Sequence, residues 1–224
     1  MTQRVVGLFA KWPQPGRVKT RLAATTSDAW AADVAAAFLQ DLTERLSVVP
    51  ARRVLAFAPA DAEGLFAAVV GDRFTLVPQA DGDLGRRLSS FVGQQLAAGA
   101  GSVVVLGSDS PTLPVAHVEQ AFAELERADV VLGPATDGGY YLVGCARRVP
   151  PIFEGVSWGG PTVLAETVAR LADPSWRLAV LPPWYDVDGL DDWRMLCGHL
   201  AALRRAGIDP GVPHTERLCQ GSQL

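Results

Sequence analysis

The sequence predicts an α/β fold, a mostly parallel central sheet with helices on both faces. Short β-rich apolar runs alternate along the whole chain with longer segments that carry helix caps. The stretch 102–106 (SVVVL) is continuously apolar after Ser102, as expected for a strand covered on both faces.

Taken in order, the first strand is expected at 4–10 (RVVGLFA), ending in a polar loop at 11–21 that Pro and Gly break. Ser27 and Asp28 are placed to cap a helix reaching about Leu46, with Asp41 and Arg45 paired at i, i+4 on its exposed side. A strand at 53–58, a short helix at 62–70 and a strand at 74–77 follow. Asp83 is expected to cap a helix running to about Ala98. After the 102–106 strand, Pro114 sits where the first residue of a helix to about Arg127 belongs. Strands at 130–132 and 140–143 flank the turn-rich GPATDGG. A helix after Pro161, a strand at 178–181 and a last helix from about Leu190 to Ala206 complete the pattern. One domain over 1–224 is expected, with 206–224 as a Pro/Gly-rich, loosely packed tail.

Of the 224 residues, 49% are hydrophobic and 20% charged, with a net charge of −4. That is enough apolar material for a packed core, and the wrong sign for nucleic acid or an anionic membrane as the main partner. No apolar run approaches the roughly 18–20 residues of a membrane span, and Arg4, Lys11 and Pro13 interrupt any leader-like pattern; the cytoplasm is the expected address. Cys145, Cys197 and Cys219 form no CxxC pair, and their odd number predicts reduced thiols. His117, His199 and His214 are scattered, which argues against a zinc enzyme.

Three segments carry chemistry. Lys11, Arg17, Lys19 and Arg21 place four cations in the loop leaving the first strand, the edge where open α/β sheets bind ligands. Gly16 lets backbone approach closely, and the cations suit a polyphosphate. The stretch lacks the Walker A pattern. Asp109, in GSDSPTL, leaves the most buried strand beside that loop. With Ser110 or Thr112 capping the next helix, Asp109 is free to hold a divalent cation. In DVDGLDD, Asp186 and Asp188 share one face of an extended stretch and form a second carboxylate source, while Asp191 and Asp192 favour the helix N-terminus. Two further segments are less specific. Asp137 in DGGYY fits either an acceptor pocket or a tight turn. Gln79, Gly82, Asp83 and Gly85 surround a helix start whose N–H groups fit a base or a phosphate, or simply a helix cap.

Together these residues resemble the nucleotide-diphospho-sugar transferase superfamily, and within it the DUF2064, glycosyltransferase-like or phospholactate-guanylyltransferase-like branch. The segments that carry the resemblance are FAKWPQPGRVKTRL, GDLGRR, GSDSPTL, GPATDGGYYLVG and DVDGLDDW, in that order. The resemblance implies a Rossmann-like GT-A fold, a three-layer sandwich. It places Lys19 and Arg21 at the family's phosphate-binding KTRL positions, Asp109 at its metal-binding acid and Asp188 at the acid of its DVD segment. The long Gly-rich signature of sugar-1-phosphate nucleotidyltransferases is replaced by KxPxxGxxKTRL, and Gly159 stands where relatives often carry Ser or Thr. No chemistry is assigned to 157–162.

The implied function is a Mg²⁺- or Mn²⁺-dependent transferase with a nucleotide donor and a small-molecule acceptor. Nucleotidyl transfer from a nucleoside triphosphate to a phosphorylated acceptor, with loss of pyrophosphate, would use Lys19, Arg21 and Asp109 catalytically. Glycosyl transfer from a nucleotide sugar would add Asp137 as base. A non-catalytic nucleotide-binding domain is the third alternative. A homodimer is admitted but not required by anything in the sequence.

Overall fold

The computed structural model describes residues 3–221. Its framework is a seven-stranded sheet in the order β3-β2-β1-β4-β6-β5-β7. The strands are β1 (Gln3–Lys11), β2 (Arg52–Ala58), β3 (Thr75–Pro78), β4 (Ala100–Gly107), β5 (Val130–Pro134), β6 (Tyr140–Ala146) and β7 (Leu178–Val180). All neighbouring pairs are parallel except those that β6 makes with β4 and β5. In the centre, Phe9 of β1 lies level with Gly107 of β4, and Lys11 with Ala58 of β2. The loops after these strands therefore leave the sheet at one edge.

Helices cover both faces, as the alternating pattern predicts. They are α1 (Thr20–Ala23), α2 (Asp28–Leu46), α3 (Glu63–Val70), α4 (Leu84–Ala97), α5 (Val115–Glu124), α6 (Val163–Ala169), α7 (Leu190–Arg205) and α8 (Pro213–Gly221). The two-residue period of a strand divides β1 between two cores. Val6, Leu8 and Ala10 pack with Leu39 and Leu42 of α2, while Val5 and Phe9 pack with Leu88 and Phe91 of α4. A third cluster joins Phe38 of α2 to Trp193 and Leu196 of α7. Ser27 accepts from the Trp30 N–H and Asp83 from the Arg86 N–H, the two caps read from the sequence. Pro114 differs by one position. It is the N-cap residue of α5, and no side chain caps that helix.

The described part of the expected loose tail, up to Gly221, is packed; 222–224 lie outside the described residues. Asp41, expected on the exposed face of α2, is fully buried beneath α8. Its carboxylate accepts from the His214 N–H (3.0 Å), the Thr215 N–H (2.8 Å) and the Thr215 hydroxyl (2.5 Å). Arg45 donates to the carbonyls of Pro210 (2.5 Å) and Leu113 (3.1 Å) rather than to Asp41. Docking of α8 also brings Cys219 to Cys197 of α7, and the two form a disulfide. Of the three cysteines expected to be reduced, Cys145 alone is a free thiol, and it is buried. Cys arithmetic could not anticipate the pair, because its geometry depends on a helix the Pro/Gly-rich composition conceals.

This anchoring yields a measurable expectation. Asp41→Ala removes one acceptor from three buried or half-buried donors at the start of α8 and should cost about 2–4 kcal/mol, read from urea unfolding. A loss below about 0.5 kcal/mol, the range of an ordinary surface change, would mean α8 is not held this way.

Candidate functional site

The loop after β1 is pinned before it reaches the site. The Trp12 N–H donates to the Ala58 carbonyl (2.8 Å), and the indole packs edge-on against Phe66. Gly16 turns the chain with φ +74°, and Lys19 adopts the left-handed region at φ 47° and ψ 43°. A non-glycine residue there is strained and persists only where its surroundings fix it. What fixes Lys19 is its side chain. The ammonium group donates to Asp109, to the Val187 carbonyl (2.6 Å) and to Asp188 (3.5 Å), and lies 5.2 Å from the Phe38 ring centre. The Lys19 side chain is only 4% exposed. It lies at the junction of three chain segments rather than in an open basic loop.

Around this junction lies a cleft of about 680 Å³ along the sheet edge. Lys11, Arg17, Lys19 and Arg21 line one part; Gln79, Gly82 and Asp83 line another; Asp109 and Asp188 line a third. Phe9, Ala10 and Leu39 complete the lining with apolar surface. Arg21 is largely exposed and reaches to 3.7 Å from Asp188.

Four residues singled out in the sequence are placed elsewhere. Gly16 makes the turn without lining the cleft. Gly85 is buried under the Phe153 carbonyl and the Trp158 indole, where an added Cβ would lie 2.0 and 2.6 Å from its nearest atoms. Its lack of a side chain serves that close approach and not a ligand. Asp137 accepts from the Gly139 N–H (2.8 Å), the tight-turn alternative. Asp186 accepts from the Ser110 hydroxyl, and Thr112 shares a 2.6 Å hydrogen bond with Tyr185. The two hydroxyls weighed as alternative caps of α5 thus both hold the 185–186 segment. Asp192 caps α7 by accepting from the Asp188 and Gly189 N–H groups, which fixes the backbone at Asp188.

Two of the carboxylates at this junction are shifted by burial. Asp186 is pushed up to about 6, chiefly by desolvation and then by the charges of Asp109, Asp137 and Asp188, against the pull of Ser110. Asp188 is also raised by burial, with Lys19 opposing. The cleft also contains Ser108 and Arg87, which the sequence reading passed over. Arg87 had a signal: it lies four residues beyond the helix cap Asp83 and so shares its face. Elsewhere, Asp41, Glu44 and His214 bring ligand-type atoms within 4.8 Å of one another. The Asp41 oxygens, however, are taken up by the start of α8. His117 and His199 bond Tyr141 and Tyr185 through Nδ1.

The family model DUF2064, described as an uncharacterized protein conserved in bacteria, matches residues 39–160. The chain belongs to the DUF2064 family. A crystal structure from Desulfovibrio desulfuricans G20, provisionally named a nucleotide-diphospho-sugar transferase, is similar to this DUF2064 protein with a TM-score of 0.86. It is 31% identical and covers 99% of this chain and 98% of that one. CMP:2-keto-3-deoxy-manno-octonic acid synthetase complexed with CTP aligns with a TM-score of 0.56 at 16% identity, over 92% of this chain and 100% of its own. The 4-diphosphocytidyl-2C-methyl-D-erythritol synthase of Anaerococcus prevotii DSM 20548 aligns at 0.60 and 9% identity, over 89% and 96%. These last two show the fold alone, a Rossmann-like GT-A architecture. No curated protein matches the DUF2064 chain. None of its described helices is long and apolar enough to cross a membrane.

The raised Asp186 has a stability consequence of definite sign. Between the ordinary carboxylate range near pH 4 and pH 6, the folded state binds the proton that the unfolded state has released, so stability falls as pH rises through that window. Asp186→Asn keeps an acceptor for Ser110 and removes the charge. It should gain about 1–3 kcal/mol at pH 7.5 and almost nothing at pH 4, measured by urea unfolding at both. Equal stability of the two proteins at pH 7.5 would show that the carboxylate is not under this pressure.

Proposed function

We propose that the cleft binds a nucleoside triphosphate and transfers its nucleotidyl group to a small phosphorylated acceptor. An acceptor phosphate oxygen forms the new bond to the α-phosphorus, the bond to the bridging oxygen breaks, and pyrophosphate leaves with the electron pair. The observation that carries this reading is the opposition of charge across one cleft. Lys11 and Arg17 line it with no side-chain hydrogen bond or ion pair among the described residues, and Asp109 and Asp188 face the same space. Such chemistry needs positioning and stabilisation of charge spread over phosphate oxygens more than a protein nucleophile. Accordingly, no Cys or His is among the residues lining the cleft.

Asp109 and Asp188, with Asp186 behind them, are the hard oxygen donors that suit Mg²⁺ or Mn²⁺. Desolvation chiefly, and like charge after it, raise Asp186 and Asp188, and a divalent cation would offset both. When bound, the cation neutralises phosphate charge. Lys19 holds the two cleft-lining carboxylates in the nucleotide-free protein, so Lys11 and Arg17 are the cations open to an arriving polyphosphate, with the exposed Arg21 beside Asp188. Glycosyl transfer from a nucleotide sugar is the second reading. It draws on the name of the Desulfovibrio relative and on Asp137 as base, close enough to raise Asp186 but outside the cleft lining.

Two measurements test the assignment. Asp109→Ala should lower turnover roughly 10²–10³-fold while thermal unfolding stays cooperative, as expected for loss of one charge-stabilising group; retained turnover would favour a binding domain that does no chemistry. Lys19→Met frees both carboxylates and should tighten Mn²⁺ binding to the nucleotide-free protein by about tenfold, followed by the loss of the free-Mn²⁺ electron paramagnetic resonance signal. Unchanged binding, with cooperative unfolding retained, would remove Asp109 and Asp188 as the cation site.

A further inference from the structure

The two acids that line the cleft belong to separate segments, Asp109 after β4 and Asp188 before α7. Lys19 links them by charge, and a divalent cation would compete with its ammonium for the same oxygens. Their spacing in the presence of a cation therefore falls to bonds that carry no charge. The Val187 N–H, which donates to the Asp109 carbonyl (3.0 Å), is one of them. The other lies one layer behind the acids. Tyr185 packs with Val187 into the cluster around Trp193, while Asp186 and Asp188 meet Ser110 and Lys19.

The Tyr185 hydroxyl lies 2.6 Å from Thr112 Oγ1 and 2.8 Å from His199 Nδ1. Its ring stacks on Trp184, with centroids 5.4 Å apart and planes 22° from parallel, which fixes the direction of the phenol. Thr112 is 6% exposed, so water is a poor substitute for this partner. Tyr185 thus joins three pieces of the site. They are the turn that carries Asp109, the segment that carries Asp188, and α7, whose first turn holds the Asp188 N–H through Asp192. We infer that Tyr185 is a positioning residue for the cation, setting the separation of Asp109 and Asp188 through its bond to Thr112. This inference rests on the reading of those two acids as the cation's ligands.

Tyr141 provides a matched comparison. Its hydroxyl also bonds a histidine Nδ1, that of His117 (3.1 Å), and donates to the Pro182 carbonyl (2.9 Å). These bonds join β6 to α5 and Pro182, and leave the 109–112 turn and α7 alone.

Mn²⁺ titrated into the whole chain without nucleotide, and followed by loss of the free-ion electron paramagnetic resonance signal, tests the inference. Asp109→Ala marks which of the bound Mn²⁺ belongs to the site. Tyr185→Phe should weaken that binding about 3- to 10-fold. Tyr141→Phe should leave it within about twofold, although each variant loses a buried hydroxyl and a similar share of stability in urea. Thr112→Val breaks the Tyr185 bond from its other end, and carries the test by itself if Tyr185→Phe does not fold. It should weaken Mn²⁺ binding as well, and the double variant should bind no more weakly than Tyr185→Phe, since one bond is lost in each. Affinity unchanged or raised in Tyr185→Phe, or lowered equally in Tyr141→Phe, overturns the inference and leaves the cation site standing. Additive losses from Tyr185→Phe and Thr112→Val overturn it too, because the two groups then act separately. Mn²⁺ binding that Asp109→Ala does not reduce removes the cation reading and this inference together.

Discussion

The site depends on one ammonium group. Lys19 comes from the loop after β1, Asp109 from the end of β4, and Val187 and Asp188 from the approach to α7, nearly 170 residues along the chain. The Lys19 side chain meets all three, and the Val187 N–H adds a bond to the Asp109 carbonyl (3.0 Å). A buried ammonium is costly without partners, so each partner is also a constraint on where its segment lies. The left-handed backbone at Lys19 is the local cost of that placement.

Around Lys19 the charges divide by depth. Asp109 and Asp188 face the cleft and share one cation, while Asp186 sits behind them with only a hydroxyl for company. Burial rather than residue type separates carboxylates only two positions apart. Lys11 and Arg17 stay in solvent, where screening keeps their mutual repulsion small, while Arg21 reaches across to Asp188.

Much of this was legible in the sequence where strand ends decide position. Lys19, Asp109 and Asp188 each follow a strand or precede a helix, so the alternation of elements alone predicts that they meet at one sheet edge. The reading failed where a residue's role is set by a distant neighbour. Asp41 looked like a surface partner of Arg45 because the helix that covers it lies over 170 residues away. Gly85 looked like a backbone approach to a ligand, but the approaching group is the Phe153 carbonyl. The reversed direction of β6 left no mark either, since an apolar strand buried on both faces reads alike in both senses.

The packing of α8 gives the far end of the chain a role in the shape of the cleft. Asp41, which holds α8, lies two residues beyond Leu39, which lines the cleft, and Ala35 lines it one turn earlier. The same helix thus carries the ligand-facing wall and the anchor for residues 213–221. Since packed helices move as stiff bodies, changes confined to the C-terminal helix can alter the cleft's width without contacting anything bound in it. Sequence divergence near that end becomes a means of tuning the site from behind.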